Sequence, residues 1–254
     1  MDMIVIIKTG ETFLSLASQR GDFEDWILAG MGLDKENATI IDVYNGSPMP
    51  TYDGISGIVI TGSHALVTEH KDWSERTAEW LPGVVERKIP LLGICYGHQL
   101  LAYAMGGKVE DNPNGLEFGT IDVKLHSAAK KDLLFYDLPD SIRVNVGHNQ
   151  SVLRLPPNSR LLASSEMDQH QAFVVGDCAW GIQFHPEFDA KTTIEYINNF
   201  KQLLREGGTN PDYLITNCSD TPDSVKLLKR FVQIVKNPRP ENESSRPGFR
   251  DAHK

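Results

Sequence analysis

The heptapeptide Gly93-Ile94-Cys95-Tyr96-Gly97-His98-Gln99 constrains this chain more than any other stretch. It follows the apolar run Ile89-Pro90-Leu91-Leu92 and opens onto a second apolar segment over 100–105. A buried strand must therefore turn into a helix within one or two residues. The residue at such a turn is held in an unfavourable backbone conformation, and small neighbours such as Gly93 and Gly97 relieve the crowding. The helix start directs its amides and the positive end of its dipole at the turn residue. A cysteine there attacks as the thiolate. The pattern is a nucleophile elbow, with Cys95 as the candidate nucleophile.

Elbows of this kind sit at the carboxyl end of a strand in an open α/β sheet, and the N-terminal half reads that way. Residues 3–7, 39–44, 57–61 and 90–94 have the composition of buried strands, with helical patterns over 23–31 and 73–87 between them. Asp72 with Glu75 predicts a capping box, and Pro82 predicts a break or restart in the second helix. The alternation argues for βαβ units around a parallel sheet. Gly106-Gly107 marks the end of the elbow helix.

Beyond residue 115 the texture changes. Segments 116–125, 142–146, 161–165, 171–175 and 179–184 read as strands without long helices between them, the last two joined by a turn at Gly176-Asp177. One helix is expected over 189–205, ended by Gly207-Gly208, and an amphipathic one over 223–236. The expected architecture is α/β, with a mixed, mainly parallel central sheet flanked by helices. Residues 1–236 are expected to form one domain with a C-terminal helical extension. Residues 237–254, rich in Pro, Ser and charge, are expected to form a disordered tail.

Composition narrows the classes. A net charge of -9 with no Lys/Arg run argues against nucleic acid and anionic membrane as partners. No segment approaches the ~20 apolar residues of a membrane helix, and the N-terminal apolar run is too short for a signal peptide. Cys95, Cys178 and Cys218 are too few for a disulfide framework, and none lies in a CxxC pair that would suggest zinc. A reducing, cytoplasmic setting is expected. No P-loop or GxGxxG supports nucleotide binding, so neither metal nor cofactor is expected.

A cysteine nucleophile needs a base, and the base needs an orienting group. Among the eight histidines, His185 stands out in Phe184-His185-Pro186-Glu187, at the end of an apolar strand. In an extended segment, residues two apart project to the same side, so Glu187 can fix the tautomer of the His185 ring. This is the nucleophile, base and orienter logic of a Ser-His-Asp triad in another chain order. The His-x-Glu pattern also opens the zinc deaminase motif, but the required Pro-Cys-x-x-Cys is missing. His64 and His70 are loop residues within reach of a substrate. His98 reads as a packing residue of the elbow helix, and Cys178 and Cys218 read as packing or surface residues.

The elbow together with His185-Pro186-Glu187, ninety residues later, resembles a class I glutamine amidotransferase domain over roughly residues 3–200. The resemblance implies that Cys95 attacks a γ-carboxamide, that His185 is the base and that Glu187 orients it. It also implies an oxyanion hole from the backbone N–H groups of Gly62 and Tyr96, and a glutamine, Gln99, lining the substrate pocket. The loop carrying His148, Asn149 and Gln150 falls where family members hold the α-amino acid end of a γ-glutamyl substrate. Gly115 to Gly119 resembles a structural family element. The turn Thr61-Gly62-Ser63-His64 departs from the family's Gly-Gly-Pro or Pro-Gly-Pro type. Only 49 residues follow Arg205, too few for a synthetase domain. A free-standing domain is therefore expected, similar to "GMP synthase-like" proteins and their γ-glutamyl peptidase and hydrolase relatives. Three functions stay open: a γ-glutamyl hydrolase acting alone, a glutaminase subunit feeding a separate synthetase chain, and a non-catalytic or redox-sensing relative.

Overall fold

The computed structural model describes residues 3–237. The first strand, β1 (Met3–Lys8), is buried on both faces: Ile4 and Ile6 enter one core, Val5 and Ile7 the other. That is why it reads as a continuous apolar run rather than an alternating one. After α1 (Leu14–Arg20) and α2 (Phe23–Met31), the parallel half of the sheet is completed by β2 (Ala38–Asp42), β3 (Ile55–Ile60) and β4 (Leu91–Ile94), with α3 (Asp72–Glu86) between β3 and β4. The elbow helix α4 (Tyr96–Ala104) follows β4 directly, with Cys95 alone between them.

The second half is largely antiparallel: β5 (Lys108–Asp111), β6 (Glu117–Leu125), β7 (Ser141–His148), β8 (Gln150–Arg154), β9 (Ser159–Ser164), β10 (Ala172–Val175) and β11 (Ala179–Ile182). The nine-stranded sheet runs β2-β1-β3-β4-β11-β10-β9-β6-β7, while β5 and β8 pair separately. The parallel half is joined to the antiparallel half by β11, which pairs parallel with β4, Ile182 opposite Ile94. Helices α5 (Ala190–Asn199), α6 (Lys201–Glu206), α7 (Pro211–Asn217) and α8 (Pro222–Lys236) close the chain. One core packs α2 and α8 against the sheet and the other packs α3 and α4.

The expected elements are present, with local corrections. Pro82 does not break α3, because Leu81 and Val84, fully buried, hold the helix across the missing N–H. The Asp72–Glu75 capping box does not form. The cap position is Lys71, and the Glu75 carboxylate instead accepts from Tyr103 and meets His70. The helix expected over 189–205 is two helices, divided at Phe200, a partly buried residue whose ring packs on Phe13 and Phe118. Strand β11 ends at Ile182, short of the expected 184, because the backbone leaves the β4 ladder there. Helices α1 and α7 and the β5–β8 pair had no readable pattern. The tail expected over 237–254 lies outside the described residues except for Asn237.

Backbone crowding at the elbow yields a stability prediction. A Cβ on Gly93 would stand 2.4 Å from the carbonyl oxygen of Gly97 and 2.9 Å from the amide of His98, both backbone atoms that cannot swing aside. Gly93→Ala is expected to lower stability by about 1–3 kcal/mol, read as a lower urea midpoint at unchanged slope.

Candidate active site

Cys95 has φ +50° and ψ -98°, a conformation rarely adopted by a non-glycine residue. Its amide donates to the Ile182 carbonyl at 2.8 Å, so the elbow is tied to β11 as well as to β4. Gln183 follows Ile182, and its Nε2 donates to Cys95 Sγ at 3.6 Å. Gln99, one turn into α4, donates from Nε2 to Gln183 Oε1 at 3.0 Å and to the Gln150 carbonyl at 2.7 Å.

His185 is brought beside Cys95 by the pairing of β4 with β11. Its amide donates to the Asn145 carbonyl on β7 at 2.8 Å. His185 and Glu187 do meet, Nδ1 to Oε1 at 2.6 Å, but through a turn rather than an extended segment: the Phe188 amide donates back to the His185 carbonyl. The Glu187 side chain is fully buried, and the His185 ring stacks on Phe188 with centroids 4.0 Å apart. Burial alone would drive the proton off this imidazole. The charges of Glu187 and then Cys95 outweigh it and raise the pKa to about 10. With Nδ1 engaged by Glu187, Nε2 is the nitrogen left for Cys95 and a substrate.

Gly62 follows β3, and a Cβ there would stand 3.1 Å from His185 Cε1. Its carbonyl accepts from Thr61 Oγ1 at 3.0 Å, and Thr61 Oγ1 in turn accepts from the Thr9 amide. The Gly62 turn is thereby fixed to the end of β1. Tyr96 opens α4, and its hydroxyl is paired with Ser74 at 2.6 Å. Gly62 therefore stands beside His185, while Tyr96 follows Cys95 directly at the start of α4.

The loop between β7 and β8 closes another side. His148 places Nδ1 3.0 Å from the Gln150 carbonyl and Nε2 2.8 Å from Glu117 Oε2, both acceptors. Both ring nitrogens thus face oxygens, an arrangement that favours a proton on each. Burial opposes this charge, and Glu117 holds its pKa above the usual histidine value. Gln150 Nε2 donates to Thr68 and Asp111, so its side chain braces the loop. Asn149 lines the cavity and its carbonyl accepts from the Asn112 amide.

A cavity of about 290 Å³ collects Cys95, Tyr96, Gln99, His148, Asn149, Gln150 and His185. His64 joins them, whereas His70 does not line it and is paired with Glu75 at 2.8 Å. His98 is fully buried against Phe173, and burial lowers its pKa to about 4, as a packing residue requires. Glu69, Gln183, Tyr196 and Phe200 carried no functional signal in the sequence, since each comes from a separate segment, and Glu117 lies in the 115–119 element read there as structural. Among the described residues no group of three or more His, Cys, Asp or Glu side chains could hold a metal ion. No described helix is long and apolar enough to cross a membrane.

The family model for class I glutamine amidotransferases matches residues 32–203. The chain belongs to that family. Gamma-glutamyl peptidase 4 of Arabidopsis thaliana is 31% identical over 183 residues, covering 71% of this chain and 72% of the relative. The GMP synthase of Bacteroides fragilis is 33% identical over 149 residues, covering 58% of this chain but only 28% of that protein. A glutamine amidotransferase structure from Thermotoga maritima superposes with a TM-score of 0.69 at 24% identity, covering 93% of this chain and 96% of that one. It shows that the class I amidotransferase fold is shared. In amidotransferase terms, the strand ends that carry Gly62, Cys95 and His185 here lie side by side at one edge of the parallel half.

The ionic state of His185 is open to measurement. Its raised pKa means that the proton contributes stability in full below the ordinary value of 6.5 and loses it as pH rises through about 10. In Glu187→Gln the His185 pKa is expected to fall by about one to three. The alkaline end of that window retreats accordingly, as followed by NMR titration of the His185 Cε1 proton.

Proposed function

We propose that this amidotransferase-family chain hydrolyses a γ-glutamyl amide bond through a γ-glutamyl thioester on Cys95. The reading rests above all on one observation: a buried His185 is held by Glu187 at 2.6 Å next to a backbone-strained Cys95. Cys95 Sγ attacks the γ-carbonyl carbon, and the carbonyl oxygen takes the negative charge. The Gly62 and Tyr96 amides receive that charge, each worth ~3 kcal/mol in such a role. The C–N bond breaks as His185 gives its proton to the leaving nitrogen. Water then gives a proton to His185 as its oxygen attacks the thioester carbon, and the C–S bond breaks, releasing glutamate and restoring the thiolate beside the protonated His185.

The α-amino acid end of the substrate needs a positive and a negative partner. Glu69 lines the cavity with a carboxylate for the ammonium, and the loop of Gly147, His148, Asn149 and Gln150, which also lines it, would hold the carboxylate. The name of the Arabidopsis relative, a gamma-glutamyl peptidase, supports hydrolysis of a γ-glutamyl amide. The GMP synthase relatives favour the second reading, in which Cys95 supplies ammonia to a separate synthetase chain. The three free cysteines fit a reducing, cytoplasmic compartment, which keeps Cys95 usable.

Cys95→Ala is expected to lower glutamate release from γ-glutamyl amides by at least about a thousandfold with the fold intact by circular dichroism. Unchanged release would sink the thioester mechanism. A glutamine analogue bearing an electrophile should add one mass tag, at Cys95. Burial pushes the Cys178 thiol up to about 11, so it stays protonated at neutral pH and untagged.

A further inference from the structure

The cavity has two unlike walls. On one side, Glu69, Gln99, Asn149 and Gln150 are polar. On the other stand Phe23, Leu116, Phe118, Tyr196, Phe200 and Leu203, supplied by α2, the start of β6 with the residue before it, α5 and the Phe200–α6 segment. The hydroxyl of Tyr196 is taken by Thr12 at 2.8 Å. Leu203 is 45% exposed at the mouth, although its neighbour Leu204 is fully buried.

The position of His185 decides which part of a substrate each wall meets. The polar wall is joined to Cys95 through Gln99 and Gln183. The apolar wall is joined to His185: its ring stacks on Phe188, Phe188 packs on Tyr196 at 4.8 Å, and Phe200 packs on Phe118 at 5.2 Å. Phe23 lies nearly parallel to both rings of that stack, 6.3 Å from His185 and 6.3 Å from Phe188. The group that protonates the leaving nitrogen is therefore set into the apolar wall. Ammonia, the leaving group from glutamine, is too small and too polar to use such a surface.

We infer that the wall of Phe118, Tyr196, Phe200, Leu116 and Leu203 is a leaving-group subsite for an amine carrying an apolar, ring-sized substituent. The inference rests on the hydrolase reading above and names its substrate class: γ-glutamyl amides of bulky apolar amines rather than glutamine. The exposed Leu203 side chain is then the outer lip of the subsite, covered when such a substituent is bound. An apolar contact of this size is worth about tenfold or more in kcat/KM.

The test uses the full chain and measures Cys95-dependent glutamate release from glutamine, γ-glutamylglycine and γ-glutamylphenylalanine. The last two differ only by the benzyl group. The phenylalanine compound is expected to exceed both others in kcat/KM by about tenfold or more. Leu203→Asp, at a half-exposed position that folding tolerates, should cut the phenylalanine-to-glycine ratio about fivefold or more, and Leu203→Met should keep it. Equal turnover of the two dipeptides, or a ratio unmoved by Leu203→Asp, would overturn the subsite and leave the hydrolase reading standing. Glutamine turnover that appears only when a synthetase chain is added would also overturn it, since the wall would then be a docking face. No Cys95-dependent glutamate from any of the three would overturn the hydrolase reading itself.

Discussion

The parallel pairing of β4 with β11 is the contact on which the cavity depends. Leu91 to Ile94 run in register with Ala179 to Ile182, and the Cys95 amide extends the ladder by one more bond to Ile182. The chain leaving β11 is held on its far side, since Gln183 bonds to the Gln171 carbonyl and His185 to Asn145 on β7. Cys95 is thus placed by the parallel half of the sheet and His185 by the antiparallel half. Two residues ninety positions apart share a cavity because β11 belongs to both halves. Losing that pairing would leave a buried imidazolium and carboxylate without their setting, which is far costlier than the loss of a surface contact.

The strained backbone at Cys95 is affordable in this setting. A non-glycine residue at such a φ costs on the order of 1–3 kcal/mol. Helix α4 offsets it by burying Leu100, Leu101 and Ala102 completely, with each leucine worth about 1.5–3 kcal/mol. The approach that makes this possible is glycine-specific: a Cβ on Gly97 would stand 2.6 Å from the Ile60 carbonyl oxygen. The same glycines that identify the elbow in the sequence let α4 sit close enough to β3 to hold it.

What could be read from the sequence was local. The elbow, the His185–Glu187 pair and the buried strands of the parallel half are each written within a few residues, and the structure contains them. Rules that were also local failed where packing overrode them. Pro82 lies in an unbroken helix because the residues around it are buried, and Phe200 divides a helix because its ring belongs between α5 and the cavity. The partnership of His148 with Glu117 spans 31 positions, and that of Gln99 with Gln183 spans 84, so neither leaves a periodic trace. Strands β5 and β8 bury little beyond Val109 and the first half of β8, too little to stand out as apolar runs.

The two sides of the cavity are built from forces of different character, and this shapes what can vary. The polar side is a chain of buried hydrogen bonds from Cys95 through Gln183 and Gln99 to the Gln150 carbonyl, braced by the His148–Glu117 pair. Leaving any member unpaired would cost about 1–3 kcal/mol, so this side tolerates few residue types. Apart from the Tyr196–Thr12 hydroxyl bond, the apolar side is held by dispersion and area, which are non-directional and forgiving of exchange between similar volumes. Its outermost members lie on and beside the short helix α6, whose outer face is exposed. On the proposed reading, a change at Phe200 or Leu203 alters the shape offered to an amine without touching the hydrogen bonds that run from Cys95 to Gln150. One framework of strand ends can therefore keep its acyl chemistry constant while its choice of leaving group drifts.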